Sequence, residues 1–288
     1  LPYQFYSNNK KKAMQKIWLI TGISSGLGKS LAEAVIAKGG FVIGTFRQPA
    51  QVESFNQQYS HRAKGILLDI TDNEQVKSVF QMIQQQFGRL DVLVNNAGYG
   101  FAGAIEEADN QEIRAVFEAN FFGAWQISKA ALPLLRQQKS GHIIQISSHS
   151  GFKAFAGFGI YSASKFALEG MSEALAAEVA PLGIKLTIVE PGPFRTGFAG
   201  GSFQEAKVQI TDYQATAGVF RARIKAVDGK QEGNPDKAAQ AIIQITESEN
   251  PPLRLPLGKV AIGTITAKLA SVQADLDNYR AIAESVVY

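Results

Sequence analysis

The chain has 288 residues, 45% hydrophobic and 19% charged, with a formal net charge of +4. That is the balance of an ordinary globular protein with a sizeable core, and the lack of a basic stripe interleaved with aromatics gives no reason to expect a nucleic-acid partner. Cysteine is absent, which excludes disulfides and thiolate chemistry; His61, His142 and His149 are scattered, so no metal site is expected, and no apolar run nears the roughly 18–20 residues that span a bilayer.

Residues 1–13, "LPYQFYSNNKKKA", read as a leader or remnant ahead of a natural start at Met14. The run "IWLITGI" behind the lysines is broken too soon, by Gly22 and Ser24, for a signal peptide. The chain is therefore expected in the cytoplasm. Short apolar runs then recur at 16–21, 41–46, 65–69, 91–95, 142–147 and 185–190, each bounded by Gly, Asp, Asn or Pro. Near-continuous apolar runs of this length suit strands buried on both faces. Helix-length segments lie between them at 26–38, 73–87, 110–138 and 159–180. In the second of these Thr71 or Asp72 can cap, Val76, Val79, Phe80 and Ile83 recur at helical spacing, and Gly88 stops the helix. The alternation predicts an α/β fold: a Rossmann-type doubly wound parallel sheet of about seven strands, with helices on both faces, in one domain over 14–288. Residues 192–235 break the rhythm. A helix near 235–247, a short strand at 253–258 and a C-terminal helix from about 259 follow.

The first strand runs straight into "TGISSGLG". Glycines 22, 26 and 28 at a strand-to-helix turn allow positive φ and close backbone approach to a pyrophosphate, and the helix N-terminus favours that charge. The spacing is a variant of the dinucleotide fingerprint, and Ser24, Ser25 and Leu27 complete the turn as candidate contacts. An acid near the end of the second strand would hold the ribose hydroxyls of NAD, whereas an Arg accommodates the 2′-phosphate of NADP. Here the acid is missing and Arg47 is available, so NADP(H) is favoured over NAD(H). Asp69, followed by Ile70, could accept from an adenine amino group or serve as a turn or cap aspartate. "NNAGYG" (95–100) sets Asn96, Ala97 and Gly98 at the carboxyl end of a strand, where such sheets bind ligands. Tyr161 and Lys165 are one helical turn apart. Alone, that spacing is equally a buried aromatic and a surface lysine.

Taken together these motifs resemble the short-chain dehydrogenase/reductase family, single-domain type: "TGISSGLG", "NNAG", Asn120 in "EANFFG", the strand end "ISS", "YSASK" and "PGP" fall in the family's order across about residues 16–260. The closing "PPLRLPLG" with a long final helix is similar to the NADP-dependent reductase branch that includes hydroxysteroid- and retinoid-type enzymes. The resemblance implies an oxidoreductase that moves a hydride between NADP(H) and a carbonyl or secondary alcohol. Tyr161 would be the general acid in reduction and general base in oxidation, with its phenol lowered by the Lys165 ammonium. Lys165 would also bind the nicotinamide ribose. Ser148 would polarise the substrate carbonyl, with Ser147 as its decoy on the other strand face, and Asn120 would anchor a water leading to Lys165. Pro191 and Gly192 would shape the loop beside the nicotinamide, and Thr196 would bond its carboxamide or a phosphate. Related proteins often pair through the helices at 110–138 and 159–180, so a homodimer or homotetramer is expected.

His149, Phe155, Phe158 and Phe194, with Tyr99, Phe101, Phe198 and Phe203, are expected to converge on one cleft for a fairly large apolar substrate. Half of them could equally be core, and His149 could be a loop bystander. Residues 194–228 read as a lid with hinges at Gly197, Gly200 and Gly201. Two other functions compete: a non-catalytic NADP(H)-binding sensor or scaffold, which could lose Tyr161 or Lys165 without penalty, and a nucleotide-sugar epimerase or dehydratase, which would have different glycine spacing and a larger C-terminal domain.

Overall fold

The computed structural model describes residues 15–198 and 201–288; the leader expected at 1–13 and the hinge expected at Gly200 lie outside the described residues. Strands β1 (Ile17–Ile20), β2 (Phe41–Phe46), β3 (Ala63–Leu67) and β4 (Val92–Asn95) are linked by helices α1 (Gly26–Ala37), α2 (Pro49–Tyr59) and α3 (Asn73–Gln86). The chain continues through β5 (Gly100–Ala102), α4 (Asn110–Phe117), α5 (Gly123–Gln138), β6 (Gly141–Ile146), α6 (Gly159–Val179) and β7 (Ile184–Pro191). It ends with β8 (Phe203–Glu205), α7 (Val219–Ala226), α8 (Pro235–Thr246), β9 (Arg254–Leu257) and α9 (Lys259–Glu284).

Seven strands form one parallel sheet in the order β3-β2-β1-β4-β6-β7-β9. This is the doubly wound Rossmann-type sheet that the alternation predicts. Because side chains alternate across a strand, β1 sends Ile17 and Leu19 to one face and Trp18 and Ile20 to the other. The first face is covered by α3, α5 and α6 through Val76, Ile83, Ile127, Leu135, Leu175 and Val179. The second is covered by α1, α2 and α8 through Leu31, Val35, Phe55, Ile242 and Ile243. The order reverses between β1 and β4, and the carboxyl ends there open the crevice in which such sheets bind ligands.

Two boundaries differ from expectation, and one small ladder was not expected. The third strand lies at Ala63–Leu67 rather than 65–69, because the chain leaves the sheet at Leu68 to close a turn in which the Asp72 amide donates to the Asp69 carbonyl. Asp72 does cap α3, accepting from the amides of Glu74 and Gln75. The segment expected as one helix over 110–138 is α4, a π-helical turn over Glu118–Phe122, and α5. The small strands β5 and β8 pair in parallel as a separate ladder, and neither they nor α2 and α7 carry a periodic signal strong enough to be read in advance.

Candidate active site

The glycine turn is built by close approach. Gly22 and Gly26 have φ of +69° and +61°, a region that favours glycine. A β-carbon on Gly28 would lie 2.3 Å from the Asn96 Nδ2 and 2.6 Å from the Gly22 carbonyl oxygen. Asn96 in turn donates through Nδ2 to the carbonyls of Thr21 and Gly22, both at 2.9 Å. Thr21, buried, accepts at Oγ1 from the amides of Asn96 and Ala97, and Thr45 Oγ1 accepts from the Gly22 amide. The ends of β1, β2 and β4 are thereby tied together around the turn.

The N-terminus of α1 is electrostatically bare. Ser25 is its N-cap residue but its side chain makes no cap bond, and the first turn holds no acid. By contrast α3, α4 and α8 are capped by Asp72, Asp109 and Asn234. Uncapped first-turn amides and the positive end of the helix dipole form an anion site. Thr196 approaches this turn, its Cβ 3.4 Å from where a Gly26 β-carbon would be. These features fit a dinucleotide pyrophosphate. Ser24 and Phe46 border a cleft with Lys29, Gln51 and Ser54, while Leu27 and Ile70 pack into the cores beneath. Arg47 is exposed and close enough to Tyr99 to pull its phenol down against the larger upward effect of burial. Asp69 accepts from the amide and hydroxyl of Thr71, which is the turn role foreseen as its alternative.

The four expected catalytic residues come together at the ends of β4 and β6. Ser148 is the N-cap of a short helical turn and accepts from the Ser150 amide at 3.0 Å. Its side chain also meets the Tyr161 hydroxyl, lowering that phenol. Ser147, on the opposite side, faces the buried Glu169. Tyr161 lies in the first turn of α6, buried, with the Phe158 ring stacked on it at 4.2 Å. Lys165, one turn on and also buried, donates from Nζ to the Ile146 carbonyl at 2.9 Å. Asn120 sits within the π-helical turn, a device common at functional sites. Its Oδ1 accepts from the Tyr99 amide, and its Nδ2 donates to the Tyr99 carbonyl and to Ser164 Oγ. A β-carbon on Gly98 would meet Asn120 Oδ1 at 2.8 Å and Lys165 Nζ at 3.7 Å, so Gly98 keeps that corner open.

One electrostatic expectation is corrected. Tyr161 is not lowered by Lys165. Burial pushes its phenol up to about 12, with Ser148 as the opposing influence. Lys165 itself is lowered to about 8 by burial, against the Glu169 charge that raises it. The physical reason is that the ammonium bonds to the Ile146 carbonyl and stands 5.9 Å from the Tyr161 ring centre. Burial therefore favours the protonated form of the tyrosine.

The aromatic residues divide. Phe158, Phe198 and Phe203 converge on Tyr161, joined by Phe220 from α7. Phe101 is core, packed with Val116 and Ile160. Phe194 turns to Gly233. His149 packs at a tilt against Phe155 and reaches Thr264 of α9 at 3.3 Å. Burial lowers its imidazole to about 4.

Sequence reasoning missed two buried charge groups. Glu107 forms a buried pair with Arg221 at 2.6 Å and accepts from the amides of Ala104 and Ile210. Burial alone would raise its carboxyl, but these bonds outweigh that and hold it below the ordinary range. Arg254 of β9 bridges Glu169, Glu173 and Glu190, and burial raises Glu169 to about 7. Neither group has a motif, since its partners are at least 64 residues apart.

This fold and site define a dinucleotide-binding oxidoreductase class, and the comparisons agree. The model of the short chain dehydrogenase family matches residues 16–207. The 3-ketodihydrosphingosine reductase of Bacteroides thetaiotaomicron is 40% identical over 247 residues, 84% of this chain and 88% of that protein. The crystal structure of a short-chain dehydrogenase from Streptomyces avermitilis superposes with a TM-score of 0.89 at 42% identity, covering 94% of this chain and all of that one. ElxO with NADP bound superposes at 0.72 with 27% identity, over 87% of this chain and all of that one. The chain belongs to the short-chain dehydrogenase/reductase family, oxidoreductases of nicotinamide cofactors. Among the described residues no helix is long and apolar enough to cross a membrane.

Proposed function

We propose that the protein is an NADP(H)-dependent reductase of a large, apolar carbonyl compound, running in reverse as a secondary-alcohol dehydrogenase. The observation that carries this reading is the meeting of Ser148 with Tyr161 beneath Phe158, Phe198 and Phe203. NADPH supplies the hydride when bound. Ser148 orients the carbonyl oxygen, and Tyr161 donates the proton to that oxygen as negative charge develops on it. Burial keeps the Tyr161 phenol protonated at neutral pH, the form that reduction requires. Lys165 holds the nicotinamide ribose, and Asn120 anchors a water that leads to Lys165. The rings around Tyr161 exclude water and favour an apolar substrate body, and the cover made by β8 and α7 acts as its lid.

Arg47 just past the end of β2, where the sequence has no acid, and Lys29 in the neighbouring cleft at Ser24, there paired with Glu33, support the NADP(H) preference. Exposed Phe122, Trp125 and Phe166 on and beside α5 and α6 support pairing of two copies there. The test is NADPH oxidation against ketones graded from small keto esters to long-chain and steroid-sized carbonyls, with Tyr161→Phe alongside. Turnover of the larger ketones that falls at least 100-fold in Tyr161→Phe, with NADPH still bound, is expected. Turnover that survives Tyr161→Phe sinks the catalytic assignment. Tight NADPH binding with no turnover of any ketone favours the sensor reading.

A further inference from the structure

Helix α9 (Lys259–Glu284) is rooted in the fold and then leaves it. Its root is fixed by buried Ala261, by Thr264 against His149, and by Glu232 accepting from the Val260 amide. From Leu269 onward every residue is exposed. Helices in proteins draw most of their stability from packing one face, and this stretch packs against none of the described residues. Its apolar residues are nonetheless ordered. Leu269, Val272, Leu276, Tyr279 and Ala283 follow one another at alternating steps of three and four, and the same rhythm extends back to Ile262 and Ile265. Leu269 and Leu276 are each 56% exposed and Tyr279 61%. A strict seven-residue apolar repeat kept over more than three heptads, with charges flanking the seam, is the pattern of a coiled coil and not of a helix lying on a globular core.

We propose that α9 is a dimerisation arm that pairs in parallel with α9 of a second copy of this chain. The flanking residues choose the partner. In a parallel, in-register pair each seam-flanking position faces the one five residues further along in the partner. Asp275 then faces Arg280 twice by symmetry and Lys268 faces Gln273, so that neither charged contact is repulsive. In the antiparallel register that pairs Leu269 with Tyr279 and Val272 with Leu276, Asp275 falls beside Asp275 of the second copy, a like-charge contact. Arg280 now stands 3.6 Å from Asp277 and 3.5 Å from Glu284 on its own helix, exposed pairings too weak to hold it there. The helix carries three basic and three acidic residues, whereas a membrane-surface helix has a basic face. Both globular bodies sit at the root, and the seam from Leu269 outward lies clear of them. This arm is separate from the α5 and α6 faces and from the proposed reaction.

The test uses the whole protein and reads particle mass by sedimentation across a dilution series. Leu269→Asp with Leu276→Asp, both remote from the site, is expected to halve the mass while cofactor binding is retained. Asp275→Arg alone is expected to weaken the dimer at least tenfold, and Asp275→Arg with Arg280→Asp to restore it. Because the chain has no cysteine, Tyr279→Cys creates a unique thiol that should cross-link two copies on mild oxidation. An unchanged mass in the Leu269/Leu276 variant overturns the proposal. So does a monomeric parent, a Tyr279→Cys protein that fails to cross-link, or an arm that binds anionic vesicles instead of itself.

Discussion

The Nδ2 of Asn96 stands where a β-carbon on Gly28 would come within 2.3 Å of it. The pair joins the N-terminus of α1 to the end of β4, so the cofactor turn and the "NNAG" segment form one unit. Gly28→Ala must push this amide off the Thr21 and Gly22 carbonyls. A loss of about 1–3 kcal/mol of stability is expected, with NADPH affinity falling at least tenfold. Thermal unfolding and fluorescence titration with NADPH check it; unchanged affinity would show that the turn binds no dinucleotide.

Arg221→Met leaves the Glu107 carboxylate buried without its counter-charge. Breaking such a pair costs about 3–5 kcal/mol, felt first where Glu107 pins the Ile210 amide and α7. Limited proteolysis should cut between residues 206 and 226 faster than in the parent, and kcat/KM for large ketones should fall. Equal cleavage rates in both proteins would refute the pinning role.

His142 gives the fold an acid sensitivity. Burial, with the nearby Lys185 and Lys16 charges, lowers its imidazole from 6.5 to about 4. Thr187 spends its hydroxyl hydrogen on the Pro252 carbonyl at 2.7 Å, so His142 donates Nε2–H to Thr187 and its Nδ1 is unpaired. Between pH 6.5 and 4 the unfolded chain binds the proton that the folded chain refuses. Stability is therefore full above about 6.5 and declines as pH falls to about 4, by about 3 kcal/mol for this residue. His149, lowered likewise, adds to the decline. In denaturant titrations across that range His142→Gln should be less acid-sensitive than the parent; parallel curves would dismiss the assignment.

Lys165 loses its proton near pH 8 while Tyr161, at about 12, keeps its own. The reduction rate should therefore fall on the alkaline side with a midpoint near 8 and not near 10. Glu169 raises Lys165, so Glu169→Gln should move that midpoint to lower pH. The pH profile of kcat/KM for both proteins decides, and a midpoint that stays put would separate Glu169 from Lys165.

Much of this was legible in the sequence because it is local. Apolar runs between turn residues announced the parallel sheet, the glycine turn and Ser148 sit within a few residues of a strand end, and Tyr161 and Lys165 are one turn apart on a single helix. What stayed hidden depends on long-range packing. The direction of the Tyr161 shift is set by the rings of Phe158 and Phe198, not by the lysine four residues on. The π-helical turn that aims Asn120 inward leaves no mark in the helical spacing of 110–138. Phe101 and Phe198 look alike in the sequence, yet one is core and the other overhangs the tyrosine.

Glu107 and Arg221 are 114 residues apart, and β5 meets β8 across a similar span. A chain is made from its N-terminus, so its early parts are exposed first. The Tyr161 platform can thus be in place before Arg221 exists to fasten the cover. During that interval Phe158 lies bare beside an unpaired β5, a pairing of open strand and aromatic surface that invites sticking to neighbours. The closing salt bridge is then also a birth-order device: a later-made contact hides what the earlier-made half exposes.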